Sequence, residues 1–192
     1  RLLLPALLAL ASCSCIGVQS QISLNRDGSG TLQLDYRVPH FFREGSTLPL
    51  PASADRLRQS VQAAPGLSLA SLSQREDEKD VRITASVAFD RVESLNALGS
   101  QLDFSYTAAA DGFVFRQRLY PGQARAGISA EALRLIEAFF PGYELSLQLD
   151  SPVPIRSNAP GGLSEDRRSV LYRTSTAELL KQKNEVTLEV IW

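Results

Sequence analysis

The sequence contains no methionine, one histidine, one tryptophan and only two cysteines, Cys13 and Cys15. Each scarcity removes a class of function. Two cysteines lying two residues apart cannot staple a domain, so a disulfide framework is excluded. With none further along, no thiol nucleophile is expected in the body of the chain. A lone histidine, His40, makes a zinc site or a Ser-His-Asp triad a poor reading, since such sites draw on several precisely placed ligands or partners. It sits between Val38-Pro39 and Phe41-Phe42, where an imidazole on a Pro/Phe-rich loop is the plainer explanation. Basic residues are not in excess: 20 Lys and Arg stand against 21 Asp and Glu, for a net charge of −1. No nucleic acid is therefore expected as a partner, and no polybasic membrane patch is present. No phosphate-binding, dinucleotide-binding or G-x-S-x-G signature occurs. No apolar stretch is long enough to span a bilayer, which takes ~20 residues. No catalytic residue, cofactor or metal is expected, and an enzyme is the weakest reading.

What is present begins at the first residues. Arg1, the apolar run Leu2 to Leu10, and Ala11-Ser12-Cys13 have the three-part form of a secretory signal peptide. The run is too short for a transmembrane helix, and Pro5 argues against a core helix. Leu10-Ala11-Ser12-Cys13 resembles the lipobox of bacterial lipoproteins, in which the cysteine is diacylated with fatty acids of the palmitate kind. Residues 1–12 are then a leader, 13–19 a lipidated tether and 20–192 a single domain. Cys13 becomes the lipidation site and the membrane a partner through it. Cys15 fits less well, having Ser12 rather than an aliphatic residue three positions before it. The missing methionine at position 1 points to a start site lost or miscalled, and so to an incomplete basic region ahead of the apolar run. The expected location is the bacterial cell membrane, lipid-anchored and facing the periplasm or the exterior, with a lean to the outer membrane.

Hydrophobic residues make up 44% of the chain, ample for a core. Gln21 to Asn25 and Leu32 to Tyr36 alternate around Arg26-Asp27-Gly28-Ser29-Gly30, which predicts a hairpin. Ser53 is placed to cap a helix carrying Leu57, Val61 and Ala64, closed by Pro65-Gly66. A second hairpin turns through residues 75–80 into Val81, Ile83, Ala85, Val87 and Phe89, the clearest alternation in the chain. Asp90 is expected to cap a short helix with Val92, Leu95 and Leu98 inward. A third hairpin joins Leu102 to Tyr106 with Phe113 to Phe115 across Asp111-Gly112. Ser129 opens a helix bearing Leu133, Ile136 and Phe140. Leu145, Leu147 and Leu149 mark a strand, residues 158–162 a turn, and Val186, Leu188 and Val190 a last strand. Hairpins imply antiparallel pairing, so the fold class is α+β: antiparallel β-hairpins and sheets packed with three or four short helices. Ile22, Leu34, Val87, Phe89, Phe104, Phe115, Ile136 and Leu147 are the expected core.

Asn25 to Gly30 looks like half of a calcium loop, but its twelfth position is Tyr36 where a bidentate Glu is required. A hairpin turn is the better reading. Asp27, Asp77, Asp80 and Asp111 sit at turn signals, where Asp serves the backbone. Large apolar side chains stand beside prolines at element ends: Phe41-Phe42, Leu48 to Pro51, and Phe139-Phe140-Pro141. They either close the ends of one core or rim a hydrophobic pocket. Phe41, Phe42, Phe139 and Phe140 are the ligand-binding candidates on the second reading.

The order of segments resembles the LppM-like domain of bacterial envelope lipoproteins. The shared features are the lipobox, the Asp27-to-Gly30 turn, the Val81-to-Asp90 strand entering a short helix, and Phe140 to Tyr143 running on to Pro152-Val153-Pro154-Ile155. The resemblance implies an α+β envelope domain with a hydrophobic or lipid-like ligand, a lipid or glycolipid, held between sheet and helices. It brings no catalytic residue with it. Relatives often finish in a membrane helix, whereas the last apolar segment here is a strand ending at Trp192, so anchoring is expected to rest on Cys13. The alternative is a protein-interaction or adhesion module working through the loops around Phe41-Phe42 and Arg167-Arg168.

Overall fold

In the computed structural model, residues 17–40, 49–99, 102–109, 112–122, 129–139 and 142–192 are described. Strands form where the alternation runs longest. β1 (Gly17–Leu24) and β2 (Gly30–Pro39) pair antiparallel with Ile22 opposite Leu32. The turn between them closes on Asp27, whose Oδ1 accepts from the Ser29 amide at 3.0 Å and its hydroxyl at 2.6 Å. Gly28 holds φ 83°, a region side chains disfavour, and a Cβ there would stand 2.9 Å from the Tyr106 ring. A tight turn, not a cation loop, is what these residues build.

Ser53 caps α1 (Ala54–Ala63) by accepting from the Arg56 amide at 3.4 Å, and Leu57 and Val61 are buried beneath it. β3 (Leu67–Glu76) and β4 (Asp80–Phe89) form the second hairpin, with a bulge between Leu69 and Ser71. Val81, Ile83, Ala85, Val87 and Phe89 are all buried. The next helix departs from expectation. It is a 3-10 helix, Val92–Leu98, preceded by Arg91 without any side-chain cap. The Asp90 amide instead donates to the Gly66 carbonyl at 2.9 Å. The winding follows from Val92, Leu95 and Leu98, whose spacing of three aligns on one face only at three residues per turn.

β5 (Phe104–Ala109) and β6 (Gly112–Tyr120) make the third hairpin, and α2 (Ala130–Phe139) follows directly after Ser129. Then come β7 (Glu144–Asp150), β8 (Ser157–Ala159), β9 (Gly162–Leu163), β10 (Ser169–Ser175), α3 (Thr176–Leu180) and β11 (Val186–Ile191). Residues 158–162, expected as a simple turn, carry the ends of two short strands. β8 joins one sheet and β9 the other, so Pro160-Gly161 is where the chain crosses between them. Strands this short leave no periodic signal in a sequence.

The larger sheet runs β3-β4-β2-β1-β7-β10-β9 and the smaller β5-β6-β11-β8. All pairs are antiparallel except β1 with β7, which run parallel with Ser20 opposite Leu147. Among the described residues, three short α-helices and the 3-10 helix pack with the sheets, which is the α+β architecture the hairpins implied. One core joins the elements. Ile22, Leu34, Tyr36, Ile83, Val87, Leu147 and Val170 supply it from the inner face of the larger sheet, and Phe104, Phe115, Leu188 and Val190 from the smaller. At roughly 1.5–3 kcal/mol for each large side chain buried, this core is the main stabilising contribution. The expected core residues are buried, apart from Ile136, whose side chain lies outside the described residues.

Candidate functional site

The alternation that buries one face of the larger sheet places polar residues on the other. Register aligns these into rows across the strands. One row reads Ser86, Gln33, Gln21, Gln148 and Leu171 over β4, β2, β1, β7 and β10. The next reads Thr84, Asp35, Gln19, Ser146 and Arg173, and a third sets Arg82 beside Arg37 and Arg37 beside Gly17. Neighbouring strands lie about 4.8 Å apart, so each five-strand row spans about 20 Å.

Between the rows lies an open trough. A cavity of about 340 Å³ is lined by Gln19, Gln21, Gln33, Thr84, Gln148 and Arg173, among others. A second, of about 210 Å³, continues it past Asp35, Arg37, Arg82 and Glu144. Gln19 and Asp35 line both, so the two form one continuous surface.

Asp150 organises one end. Its carboxylate accepts from Gln21 Nε2 at 2.7 Å, Gln148 Nε2 at 2.9 Å, Ser169 Oγ at 2.7 Å and Ser23 Oγ at 3.3 Å. Partial burial pushes its pKa up, but the bonds from Gln148, Gln21, Ser169 and Ser23 outweigh that and hold it below the ordinary carboxylate value. Gln33 is fixed similarly, its Nε2 donating to Ser86 Oγ at 2.9 Å. Three amides are thus tied through their NH2 groups, and each keeps a carbonyl oxygen as an acceptor.

The other end is cationic. Asp35 takes the Arg82 guanidinium through two bonds of 2.8 and 2.5 Å, and that pairing holds the Arg82 pKa above its ordinary value. Arg37 lies over the Tyr143 ring, 4.7 Å from its centre, and donates to the Gly142 carbonyl at 2.9 Å. Tyr143 in turn donates its hydroxyl to the buried Asp80 carboxylate, locking the start of β7 to the start of β4. Burial and then that bond raise the Tyr143 pKa, so the phenol stays a neutral donor. Gly17 lies against the stack: a Cβ there would stand 3.4 Å from the Arg37 guanidinium and 3.5 Å from the Tyr143 ring, in ordinary van der Waals contact with both.

Two groups in the trough have no side-chain partner among the described residues. Ser146 is only 9% exposed, and its hydroxyl makes no hydrogen bond among the described residues, reaching solvent instead. Arg173 beside it has neither an ion pair nor a hydrogen bond. Leu171, at 42% exposure, supplies the one large apolar side chain left open. Among the described residues no group of three or more His, Cys, Asp or Glu is placed to hold a metal. No described helix is long and apolar enough to cross a membrane.

No protein-family profile matches the sequence, and no curated protein matches it. The structure is similar to the NMR structure of the folded domain of Mycobacterium tuberculosis LppM. The TM-score is 0.49 at 9% identity, covering 93% of this chain and 90% of that one.

Of the residues singled out from the sequence, the described ones, His40 and Arg167, do not line the trough. Cys13, Phe41, Phe42 and Phe140 lie outside the described residues, as does the side chain of Phe139 at the end of α2. His40 holds the β3–β4 turn, with Nε2 2.7 Å from the Asp77 carbonyl. Arg167, with φ 58°, donates to the Ile155 and Arg156 carbonyls at 2.9 Å each, so its guanidinium braces a loop. The trough was missed because its residues are ordinary ones. Its signal was the polar half of each alternation: Gln19-Gln21-Ser23, Gln33-Asp35-Arg37 and Ser146-Gln148-Asp150.

Proposed function

We propose that this chain is a non-enzymatic binding module of the bacterial cell envelope. It is tethered to the membrane through acylated Cys13 and works through the polar outer face of its larger sheet. The observation that carries this reading is the unused hydrogen-bonding capacity of the trough. The Ser146 hydroxyl and the Arg173 guanidinium make no bond among the described residues, and three amides are held in place through their NH2 groups with their carbonyl oxygens open to a ligand. A lipid-like ligand rimmed by Phe41, Phe42, Phe139 and Phe140 would call for an apolar cavity. The cavities along the outer face are open and carry amide, hydroxyl and charged groups beside apolar side-chain surface, which supports an interaction through that face.

The test is photo-crosslinking in intact envelopes, with a crosslinking amino acid at Gln21 or Leu171 in the trough and at Gln59 on α1 as the comparison. Adducts from the trough positions and none from Gln59 are expected. Adducts confined to Gln59, or acyl lipid extracted in stoichiometric amount with the purified protein, would overturn the assignment of the surface. The tether is tested separately: Cys13→Ser is expected to release the protein from the membrane fraction. A single acyl chain binds only marginally, whereas two hold firmly.

A further inference from the structure

The outer face carries a charge arrangement that its own fold leaves unsatisfied. In the register Arg37 stands directly opposite Arg82, and Arg82 directly opposite Arg75. Like charges facing each other across a ladder weaken the pair. One carboxylate, Asp35, relieves one of them, taking Arg82 through two bonds. Arg37 is turned onto the Tyr143 ring. Arg75 has no ion pair or hydrogen bond among the described residues, and neither does Arg173 on the far side of the trough. On these two rows four guanidiniums share the face with two carboxylates, Asp35 and Glu144. Asp150, beyond them, has its charge taken up by four donors.

We infer that the trough binds an extended acidic oligosaccharide, an inference that rests on the trough being the working surface. Ligand carboxylates pair with Arg173 on one flank and with the Arg37–Arg82–Arg75 row on the other. Sugar hydroxyls donate to the fixed amide oxygens of Gln21, Gln33 and Gln148 and bond with Ser146 and Thr84. An apolar sugar face lies on Leu171. A saccharide fits better than a peptide for a geometric reason. An extended peptide pairs with a sheet through main-chain groups at an edge, whereas this surface crosses the strands and offers side chains alone. A single-stranded nucleic acid would want stacking rings, and on this face the Tyr143 ring is covered by Arg37. A length of about 20 Å holds a few sugar units in sequence, with charges at both flanks and neutral partners between.

The experiment is titration calorimetry on the full chain carrying Cys13→Ser, at low salt, with three probes: tetragalacturonate, the neutral maltotetraose and hexaglutamate. Tetragalacturonate is expected to bind at least tenfold more tightly than either of the others. Arg173→Gln, which removes a group with no role in the fold, is expected to weaken it about tenfold, and Arg58→Gln on α1 to leave it unchanged. Hexaglutamate binding as tightly would overturn the saccharide, since charge alone would then suffice. Maltotetraose binding as tightly would overturn the role of the arginines, as would an unchanged affinity in Arg173→Gln. If no probe binds while trough positions still crosslink in envelopes, the ligand class fails and the working surface stands. If tetragalacturonate binds with the expected arginine dependence while envelope crosslinks come only from Gln59, the surface assignment fails and this site remains.

Discussion

Gln21 and Ile22 are neighbours in β1, yet Ile22 is fully buried and Gln21 lies open in the trough. The same contrast runs through Gln33 and Leu34 in β2, Thr84 and Ile83 in β4, and Gln148 and Leu147 in β7. The two faces share every backbone hydrogen bond and differ only in which half of the alternation they show. Stability is therefore concentrated on one face and chemistry on the other. The inner face excludes water and tolerates little change. The outer face holds its amides and guanidiniums by hydrogen bonds that cost little to remake, so it can be altered without disturbing the fold.

The sharpest way to break the contrast is to put outer-face chemistry on the inner face. Val87 is fully buried in β4. Val87→Asp would place a carboxylate there without a partner, costing about 4 kcal/mol before any relaxation. In a chain of this size that lowers the thermal midpoint by about 10 °C or more. An unchanged midpoint, followed by circular dichroism, would show that the inner face is not the core. A gentler version keeps the chemistry and removes volume. Leu147→Ala, also fully buried, is expected to cost about 3 kcal/mol in denaturant unfolding, with the slope unchanged.

The inner face was the legible one. Val81 to Phe89, Leu32 to Val38 and Leu145 to Leu149 declare themselves because a buried face demands an apolar residue at every second position. The capped helix over Leu57 and Val61, and the Asp27-Gly28 turn, are legible for equally local reasons. The parallel β1–β7 pair is not, because strands more than 100 residues apart carry no mark of which edge they will meet. That pairing is what brings Gln19 and Gln21 beside Ser146 and Gln148 and so builds the trough. Polar residues on an open strand face look like solvated surface until the register sets them in rows. Phe41, Phe42, Phe139 and Phe140, by contrast, stand out in the sequence by bulk alone.

Asp150 sits where the faces meet functionally, since it is part of the fold and also holds two amides of the trough. Its folded pKa lies below the ~3.9 of an unfolded aspartate, so its bonds stabilise the protein fully above that value. The contribution is lost as pH falls through the lower folded value. Solvent screens the group, so the loss is expected to be about 1 kcal/mol at most. Asp150→Asn should remove that part of the pH dependence: the wild type loses stability relative to the variant as pH falls below about 4. Parallel unfolding midpoints for the two proteins over that range would show that the hydrogen bonds to Gln21 and Gln148 do not hold the carboxylate in its charged form.

The smallest effect on stability is expected from the outer face itself. Gln33→Leu removes an exposed amide and its 2.9 Å bond to Ser86 while keeping a side chain of comparable volume over the strand. Exposed substitutions of this kind change stability by about 0.5 kcal/mol or less. The lost hydrogen bond and the gain in β propensity act in opposite directions. Binding in the trough should move much further, because a ligand hydroxyl that was paired with the Gln33 carbonyl oxygen would face a methyl group and go without a partner. A fall of about tenfold in affinity corresponds to about 1.4 kcal/mol, more than the expected change in folding. The measurement is the pair of numbers on one preparation: the denaturant midpoint and the affinity for the trough ligand. A midpoint shift equivalent to several kcal/mol of unfolding free energy would show that the outer row is structural, and the division between a face that folds and a face that binds would not hold at Gln33.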